Sequence, residues 1–384
     1  MKFKTSLLFL LFFSYFVQSQ TLNTFHQSLV NQVNNQNIIN NLTEFVNFGE
    51  KRVGTTAHEN AKNWVVSKYQ NWGYTNIELQ DVFVSGEVGQ NIIVTKIGTT
   101  YPDQFIIIDG HYDTIFGPGA NDNGSGTAVI LEIARILQNI PTEYSIKFIH
   151  FTGEEQGLHG SEQYVENIAI PQNLDIKLVL NIDQVGGVAG ETNNRITCER
   201  DMDFPQSNNS ESQIVTNQLA TLMELYSDLD TNISAAYASD YVPFQEAGFV
   251  ITGLYEFNES PFTHSPQDTF QNMDPNFVYQ VTKGTLGAFC FFTKAYEQMN
   301  ATDLDKVEIL VYPNPADQFI TVSNLNNEIY DYTIIDLNGK LVSKGKVFSD
   351  NQKIYTSNLL NGIYMLNLTN QKKSFSQKII INHL

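Results

Sequence analysis

Several acidic and histidine side chains of this chain are of the types that bind divalent metal ions and activate water. Two adjacent glutamates, Glu154 and Glu155, follow the apolar run SIKFIHFTG. Two metal ions that share one carboxylate can activate a water molecule for hydrolysis. The side chains that could supply the five ligands of such a paired site are His111, Asp122, Glu155, Asp183 and His264. Glu154 would then remain free beside the metals.

The apolar runs that precede these residues predict the elements that position them. Residues 105–109, 146–151 and 177–183 are continuously apolar rather than alternating, which is typical of strands buried on both faces. Each run has an acid or a histidine at or just past its carboxyl end, where open α/β sheets place their sites. The segment TAVILEIARIL, between the first two runs, keeps helical apolar spacing. We therefore expect an α/β fold with a mixed, largely parallel central sheet flanked by helices.

Each candidate residue also has a purely structural interpretation. A single histidine after a strand is more often a capping or surface residue, and Asp122 precedes a predicted helix, where an aspartate is often the N-cap. Three separate strands that end in metal-binding residue types favour the metal site over these alternatives.

Composition and charge limit the classes of function and the compartment. The chain has 384 residues and a net charge of −19, so we expect no nucleic-acid partner.

Residues 1–20 resemble a secretory signal peptide, with Lys2 and Lys4 before a short apolar stretch, although an uncleaved membrane anchor is the alternative. No later segment reaches the ~18 apolar residues of a transmembrane helix, so we expect none in the mature chain. The two cysteines, Cys198 and Cys290, could form a disulfide in an exported protein, but a buried thiol is the simpler interpretation for Cys290.

The chain is expected to contain two domains after the signal peptide. The predicted metal-binding domain spans residues 21–300, and a small all-β sandwich spans residues 308–384. Pro313-Asn314-Pro315 marks a rigid non-helical segment near this change, and Asn338-Gly339 between two apolar runs predicts a β-hairpin.

Six segments of the first domain resemble the M28 metallopeptidases, in order and in spacing. They are GHYDT, GPGANDNGSGTAVILEIARIL, FTGEEQGLHGSEQYV, LNIDQVGG, ASDYVPFQEAGF and HSPQDTFQNMD. These segments resemble the secreted bacterial aminopeptidases that use two zinc ions, and the resemblance covers about residues 40–297. The resemblance implies that Asp122 bridges both zinc ions. It places His111 and Asp183 on one ion, and Glu155 and His264 on the other.

The same resemblance assigns the catalytic roles. Glu154 matches the general base, which would take a proton from a water or hydroxide that bridges the metals and pass it to the leaving amine. Asp113 is placed to accept the second N–H of the His111 ring and so fix its tautomer. The chain departs from the family at Tyr241, where a histidine is common, and at Gln184, where an apolar residue is common. Neither change removes a ligand.

The resemblance implies an aminopeptidase that acts on peptides with a free N-terminus, and three alternatives remain open. An M28-type carboxypeptidase would need a cation for the terminal carboxylate, and Arg195 and Arg200 lie in the region after Asp183. Glutaminyl cyclases share the fold, although GEEQGLHGS and ANDNGSG are more similar to the hydrolases. A non-catalytic binding ectodomain is less compatible, because such relatives have lost their ligands.

The C-terminal segment resembles the sorting domains of the type IX secretion pathway. The similarity rests on YPNP, the predicted hairpin, LLNGIYMLNL and the closing Lys378-Ile379-Ile380-Ile381. It implies the type IX secretion machinery as a partner, export through the periplasm and outer membrane, and a secreted or cell-surface protein. A carbohydrate-binding module is the alternative.

Overall fold

The computed structural model describes residues 21–298, 309–325, 328–337, 339–370 and 374–383. These residues divide into two compact units, one ending at Gln298 and the other beginning after it. The predicted signal peptide, residues 1–20, and Asn338 of the predicted hairpin lie outside the described residues.

Eight strands form one sheet in the described part of the first unit. Their order is β1-β2-β4-β3-β5-β8-β6-β7. The four strands β4, β3, β5 and β8 run parallel at the centre, whereas β1, β2 and β6 join antiparallel neighbours. The strands are β1 (Ile77–Val84), β2 (Glu87–Lys96), β3 (Tyr101–His111), β4 (Tyr144–Phe151), β5 (Asp175–Ile182), β6 (Arg195–Arg200), β7 (Asp230–Ala235) and β8 (Ile251–Glu256). The predicted mixed, largely parallel sheet is confirmed, and its three apolar runs are β3, β4 and β5.

Helices cover both faces of this sheet. Side chains of β3 alternate between the two layers: Ile106 and Ile108 belong to one apolar cluster, and Ile107 belongs to the other. The α-helices are α1 (Thr24–Val30), α2 (Asn35–Val46), α3 (Thr56–Asn71), α4 (Gly124–Leu137), α5 (His159–Tyr164), α6 (Asn209–Tyr226), α7 (Val242–Glu246) and α8 (Pro275–Phe292). A π-helix spans Val165–Ala169 and a 3₁₀-helix spans Phe270–Asn272.

The central strands bring the predicted metal-binding residues to one edge of the sheet. His111 is the last residue of β3 and is paired with Phe151, the last residue of β4. Asp109 pairs with Asn181 of β5, so Asp183 follows at the same level. The carboxyl ends of these parallel strands therefore place His111, the 152–155 loop and Asp183 side by side.

The second unit contains two antiparallel sheets around a small apolar core. Its described strands are β9 (Leu310–Tyr312), β10 (Phe319–Ser323), β11 (Tyr330–Asp336), β12 (Leu341–Val347), β13 (Gln352–Tyr355), β14 (Gly362–Thr369) and β15 (Ser374–Ile381). The first sheet has the order β13-β10-β9 and the second has the order β12-β11-β14-β15. Strands β11 and β12 pair on either side of the predicted hairpin turn. The prediction of an all-β domain is confirmed.

Both cysteines are buried and free, so the disulfide alternative is wrong. Across the described ranges, no helix has the length and the apolar character needed to cross a membrane.

Candidate metal centre

The carboxylate of Asp122 lies between two imidazole rings. Its Oδ1 atom is 3.2 Å from Nε2 of His111, and its Oδ2 atom is 3.1 Å from Nε2 of His264. Each histidine has a second acid of its own: Asp183 Oδ1 is 3.3 Å from Nε2 of His111, and Glu155 Oε2 is 2.8 Å from Nε2 of His264. The five predicted ligands therefore form two clusters that share the carboxylate of Asp122.

The spacing of these atoms is suitable for metal ions. One atom each from His111, Asp122 and Glu155 lies within 4.8 Å of the others, and the same is true of His111, Glu154 and Asp183. Glu154, predicted as the base, thus lies beside the His111 cluster, with Oε2 3.9 Å from Nε2 of His111. Oxygen and imidazole nitrogen donors of this kind suit zinc.

Asp113 makes two kinds of orienting contact, one through its backbone and one through its side chain. The Nδ1 atom of His111 is 3.1 Å from the main-chain oxygen of Asp113 and 3.8 Å from its carboxylate. The carboxylate instead accepts the main-chain N–H groups of Glu154 and Glu155, at 3.2 and 3.3 Å. Asp113 therefore orients the histidine through its backbone, and its side chain holds the loop that carries both glutamates.

The electrostatics of the cluster also favour bound cations. Burial and the acids Glu154 and Asp183 act in opposite directions on His111, and the acids prevail and raise its pKa well above the usual range. Close contacts with the carboxylates of Asp122 and Glu155 raise the pKa of His264 to about 10. Without metal, both rings therefore hold protons that offset neighbouring carboxylates. Metal ions can replace those protons, because a metal-binding imidazole must be neutral.

An unsatisfied oxygen supports the same interpretation. Oδ2 of Asp122 is buried and accepts no hydrogen bond from the described residues, although Nε2 of His264 lies close to it. A buried anionic oxygen of this kind needs a partner, and a metal ion would provide one. The donors present thus fit two zinc ions.

Local sequence explains how Asp122 reaches this position. Asn123, and not Asp122, is the N-cap of α4, and its side chain accepts the N–H of Gly126 at 2.9 Å. The Asn123 amide also donates to the main-chain oxygen of Ile182 at 2.8 Å. A Cβ at Gly126 would lie 2.2 Å from that oxygen, so only glycine allows α4 to begin this close to β5. The N-cap alternative for Asp122 is therefore wrong, and its carboxylate is free to face the histidines. The peptide bond between Asp122 and Asn123 is cis.

Two supporting residues were not predicted as site residues. Ser239 donates to Oδ2 of Asp183 at 2.7 Å and is held in turn by Asn181 at 2.9 Å. Asp268 accepts the main-chain N–H groups of Asn121 and Asp122. Both lie in segments noted for their resemblance, ASDYVPF and HSPQDTF, and the polar residue types there were the available signal.

A cavity of about 450 Å³ opens over the two clusters. The lining residues outside the clusters include Gln184, Glu199, Tyr237, Tyr241 and Tyr255. The described residues that line it include no lysine and no arginine.

The two arginines considered for the carboxypeptidase alternative make other contacts. Arg195 lies over the ring of Phe257, 4.9 Å from its centroid, and Arg200 is hydrogen-bonded to Gln213.

Two family models match the chain. The family model "Peptidase family M28" matches residues 91–288, and the model "Secretion system C-terminal sorting domain" matches residues 310–382. A sorting domain of this kind directs export to the cell surface or secretion.

One curated relative and two solved structures illustrate the similarity. Aminopeptidase YwaD of Bacillus subtilis (strain 168) is 32% identical over 204 residues, which are 51% of this chain and 43% of that protein, so the chain spans less than half of its length. The LapA aminopeptidase of Legionella pneumophila has a similar fold, with a TM-score of 0.63, 20% identity and coverage of 77% of this chain and 81% of its own. A Bacteroides thetaiotaomicron glutaminyl cyclase bound to N-acetylhistamine shares the fold with a TM-score of 0.57, 18% identity and coverage of 67% and 97%.

Proposed function

Since the chain belongs to peptidase family M28, we propose that it is an exported aminopeptidase that binds two zinc ions and removes N-terminal residues from peptides. The observation that carries the proposal is the position of Asp122, whose two oxygens each face one histidine. Asp122 would hold both ions, His111 and Asp183 would complete one site, and Glu155 and His264 would complete the other. The name of the relative YwaD supports the direction of cleavage.

Bound zinc would supply a Lewis acid that polarises the scissile carbonyl and lowers the pKa of water. The residues of the chain do the remaining work. Glu154 lies at the His111 cluster and lines the cavity, so its carboxylate can take a proton from the attacking water and deliver it to the leaving amine. Burial raises the pKa of Glu154 well above the usual range in the metal-free protein. The carboxylate of Asp113 keeps Glu154 in place through its main-chain N–H.

The charge of the cavity favours recognition of the amino end of a peptide. Its wall carries Glu154 and Asp183, and no lysine or arginine occurs among its described lining residues. A free α-ammonium group is attracted to such a wall, whereas a terminal carboxylate needs a cation. Arg195 and Arg200, the candidates for that cation, contact Phe257 and Gln213 instead. These contacts argue against the carboxypeptidase alternative.

One experiment tests this function against its alternatives. The purified zinc-loaded protein is given aminoacyl p-nitroanilides, the same compounds with an acetylated amino group, and a peptide with N-terminal glutamine. An aminopeptidase releases p-nitroaniline only from the unblocked compounds. Cyclisation of the glutamine without hydrolysis would indicate a glutaminyl cyclase, and no reaction with any of these substrates would indicate a carboxypeptidase or a binding ectodomain.

We also propose that the domain limits are residues 1–20, 21–300 and 308–384, and that the last domain is recognised by the type IX secretion machinery. The match of the sorting-domain model to residues 310–382 supports this partner.

A further inference from the structure

One carboxylate of the cavity takes no part in the metal clusters. Glu199 lies on β6, is 7% exposed and lines the cavity that also contains Asp183. In the sheet, Glu199 is paired with Gly253 of β8, and Gly253 is level with Asn181 of β5. Residues paired in this way project from the same face of a sheet. Glu199 therefore faces the side on which Asn181 supports Ser239 and, through it, Asp183.

Hydrogen bonds to neighbouring residues hold the Glu199 side chain in position. The hydroxyl of Tyr241 donates to its Oε2 atom at 2.8 Å, and that hydroxyl accepts the main-chain N–H of Tyr237 at 3.0 Å. Gly253 makes the arrangement possible, because a Cβ there would lie 2.8 Å from the Tyr241 ring and 3.1 Å from the Glu199 carboxylate. Tyr237 and Tyr241 also line the cavity, so aromatic surface surrounds the acid.

Charge balance distinguishes Glu199 from the other acids of the cavity. Two divalent ions would offset the four carboxylates that the proposed function places at the metals. Those carboxylates are Asp122, Glu154, Glu155 and Asp183. Glu199 has no such compensation, because no lysine or arginine is found among the described lining residues and Tyr241 is its hydrogen-bond donor. A buried carboxylate without a counter-charge is costly unless it takes up a proton or binds a cation.

We propose that Glu199 binds the cationic side chain of the N-terminal residue, so that the enzyme prefers peptides that begin with lysine or arginine. The aliphatic part of such a side chain would pack against the tyrosines, and its charged end would pair with the Glu199 carboxylate. This inference rests on the proposed function, since it requires the peptide amino group to be bound at the adjacent metal centre.

The test compares lysine with norleucine, which has the same linear chain length in carbon atoms without the charge. We expect kcat/KM for lysyl p-nitroanilide to exceed that for norleucyl p-nitroanilide, and the Glu199→Gln variant to lower this ratio by roughly 10- to 100-fold. The matched control is Glu246→Gln, the same change at an exposed residue of α7, which should keep the wild-type ratio.

A binding measurement on the wild-type protein separates the possible outcomes and does not depend on the folding of a variant. Calorimetric titration of the zinc-loaded protein with free L-lysine and L-norleucine should show tighter binding of L-lysine. Hydrolysis of both anilides with no preference for lysine, and equal binding of the two amino acids, would overturn the role of Glu199 and leave the aminopeptidase intact. Absence of hydrolysis with preferential L-lysine binding would overturn the aminopeptidase function alone.

Discussion

Oδ2 of Asp268 accepts the main-chain N–H of Asp122 at 3.0 Å. Its other oxygen accepts the N–H of Asn121 at 2.8 Å, and its main-chain oxygen accepts the N–H of Ala120 at 3.2 Å. Asp268 lies four residues after His264 in the sequence. The loop that carries the shared acid and the loop that carries the exposed histidine are therefore fixed to each other, so Asp268 sets the distance between two proposed ligands of one ion.

The Asp268→Asn variant should bind zinc more weakly. An amide can present an acceptor to only one of the two N–H groups, so the Asp122 loop should lose one of its supports. We expect zinc affinity and kcat/KM to fall by roughly 10- to 100-fold, measured by zinc titration against a competing chelator. Asp103→Asn, at an exposed position at the start of β3, is the control and should bind zinc like the wild type. Unchanged affinity in Asp268→Asn would show that the loops are held by other contacts.

The Glu154→Gln variant should retain both metals and lose turnover. Glutamine keeps the size and polarity of the side chain but cannot accept a proton, so kcat should fall by roughly 100- to 10,000-fold. Metal content by mass spectrometry and hydrolysis of an unblocked aminoacyl anilide give the two readings. Glu166→Gln, an exposed substitution on the π-helix, should leave both unchanged. Near-normal turnover in Glu154→Gln would remove the residue from its proposed role.

The strands and the residues at their ends could be predicted from the sequence, because parallel strands that are buried on both faces have continuous apolar sequences. His111 and Asp183 lie at the ends of β3 and β5 for that reason. The helix α4 also followed from its apolar spacing. These features depend on local patterns along the chain.

The contacts between distant segments could not be predicted in the same way. Asp113 contacts Nδ1 of His111 through its main-chain oxygen, because residues 154 and 155 present two main-chain N–H groups that bind its carboxylate, and the sequence does not indicate this division. Likewise, Glu199 lines the cavity because β6 lies beside β8 and β8 lies beside β5. Gly253 of β8, which pairs with Glu199, leaves room for the Glu199 and Tyr241 side chains. The order of strands in a sheet brings together residues that are far apart in the sequence, and no local sequence pattern indicates that they are in contact.

The metal-free protein should become less stable as the pH rises from about 4.5 to about 7. Burial is the main cause that raises the pKa of Glu155 to about 7 and that of Asp268 to about 6, above the ordinary values of 4.5 and 3.8. A carboxyl with a raised pKa favours the folded state below its ordinary value, and this contribution is lost as the pH passes the raised value. His111 and His264 outweigh the effect of burial and lower the pKa of Asp122 to about 2. Asp122 therefore makes the protein more stable as the pH rises, but only below its ordinary pKa of 3.8.

Thermal unfolding in EDTA at about pH 5 and about pH 7.5 measures this change. The Tm should fall between the two conditions, and zinc should reduce the fall because metal ions stabilise ionised ligands. A Tm in EDTA that rises with pH would contradict the pKa directions at this site.

Removal of residues 308–384 should stop export at the periplasm and leave catalysis intact. The sorting-domain model matches residues 310–382, which form their own apolar core, whereas all proposed metal ligands precede Gln298. Fractionation of the producing cells, followed by assay of each fraction with an aminoacyl anilide, measures both properties. Normal appearance of the truncated enzyme outside the cell would contradict the sorting role.

Metal stoichiometry should separate the shared ligand from the others. The Asp122→Asn substitution replaces one carboxylate oxygen by an amide nitrogen that cannot bind a cation, and it removes the negative charge from the other oxygen. Each oxygen faces a different histidine, so zinc binding should be weakened at both sites. In Asp183→Asn and His264→Ala only one cluster is altered, so each variant should retain about one zinc ion per chain after dialysis. Zinc content measured by mass spectrometry, beside circular dichroism to verify folding, distinguishes the two patterns. If Asp122→Asn retained as much zinc as Asp183→Asn, its carboxylate would serve one ion only, and the proposal of a bridging acid would be wrong.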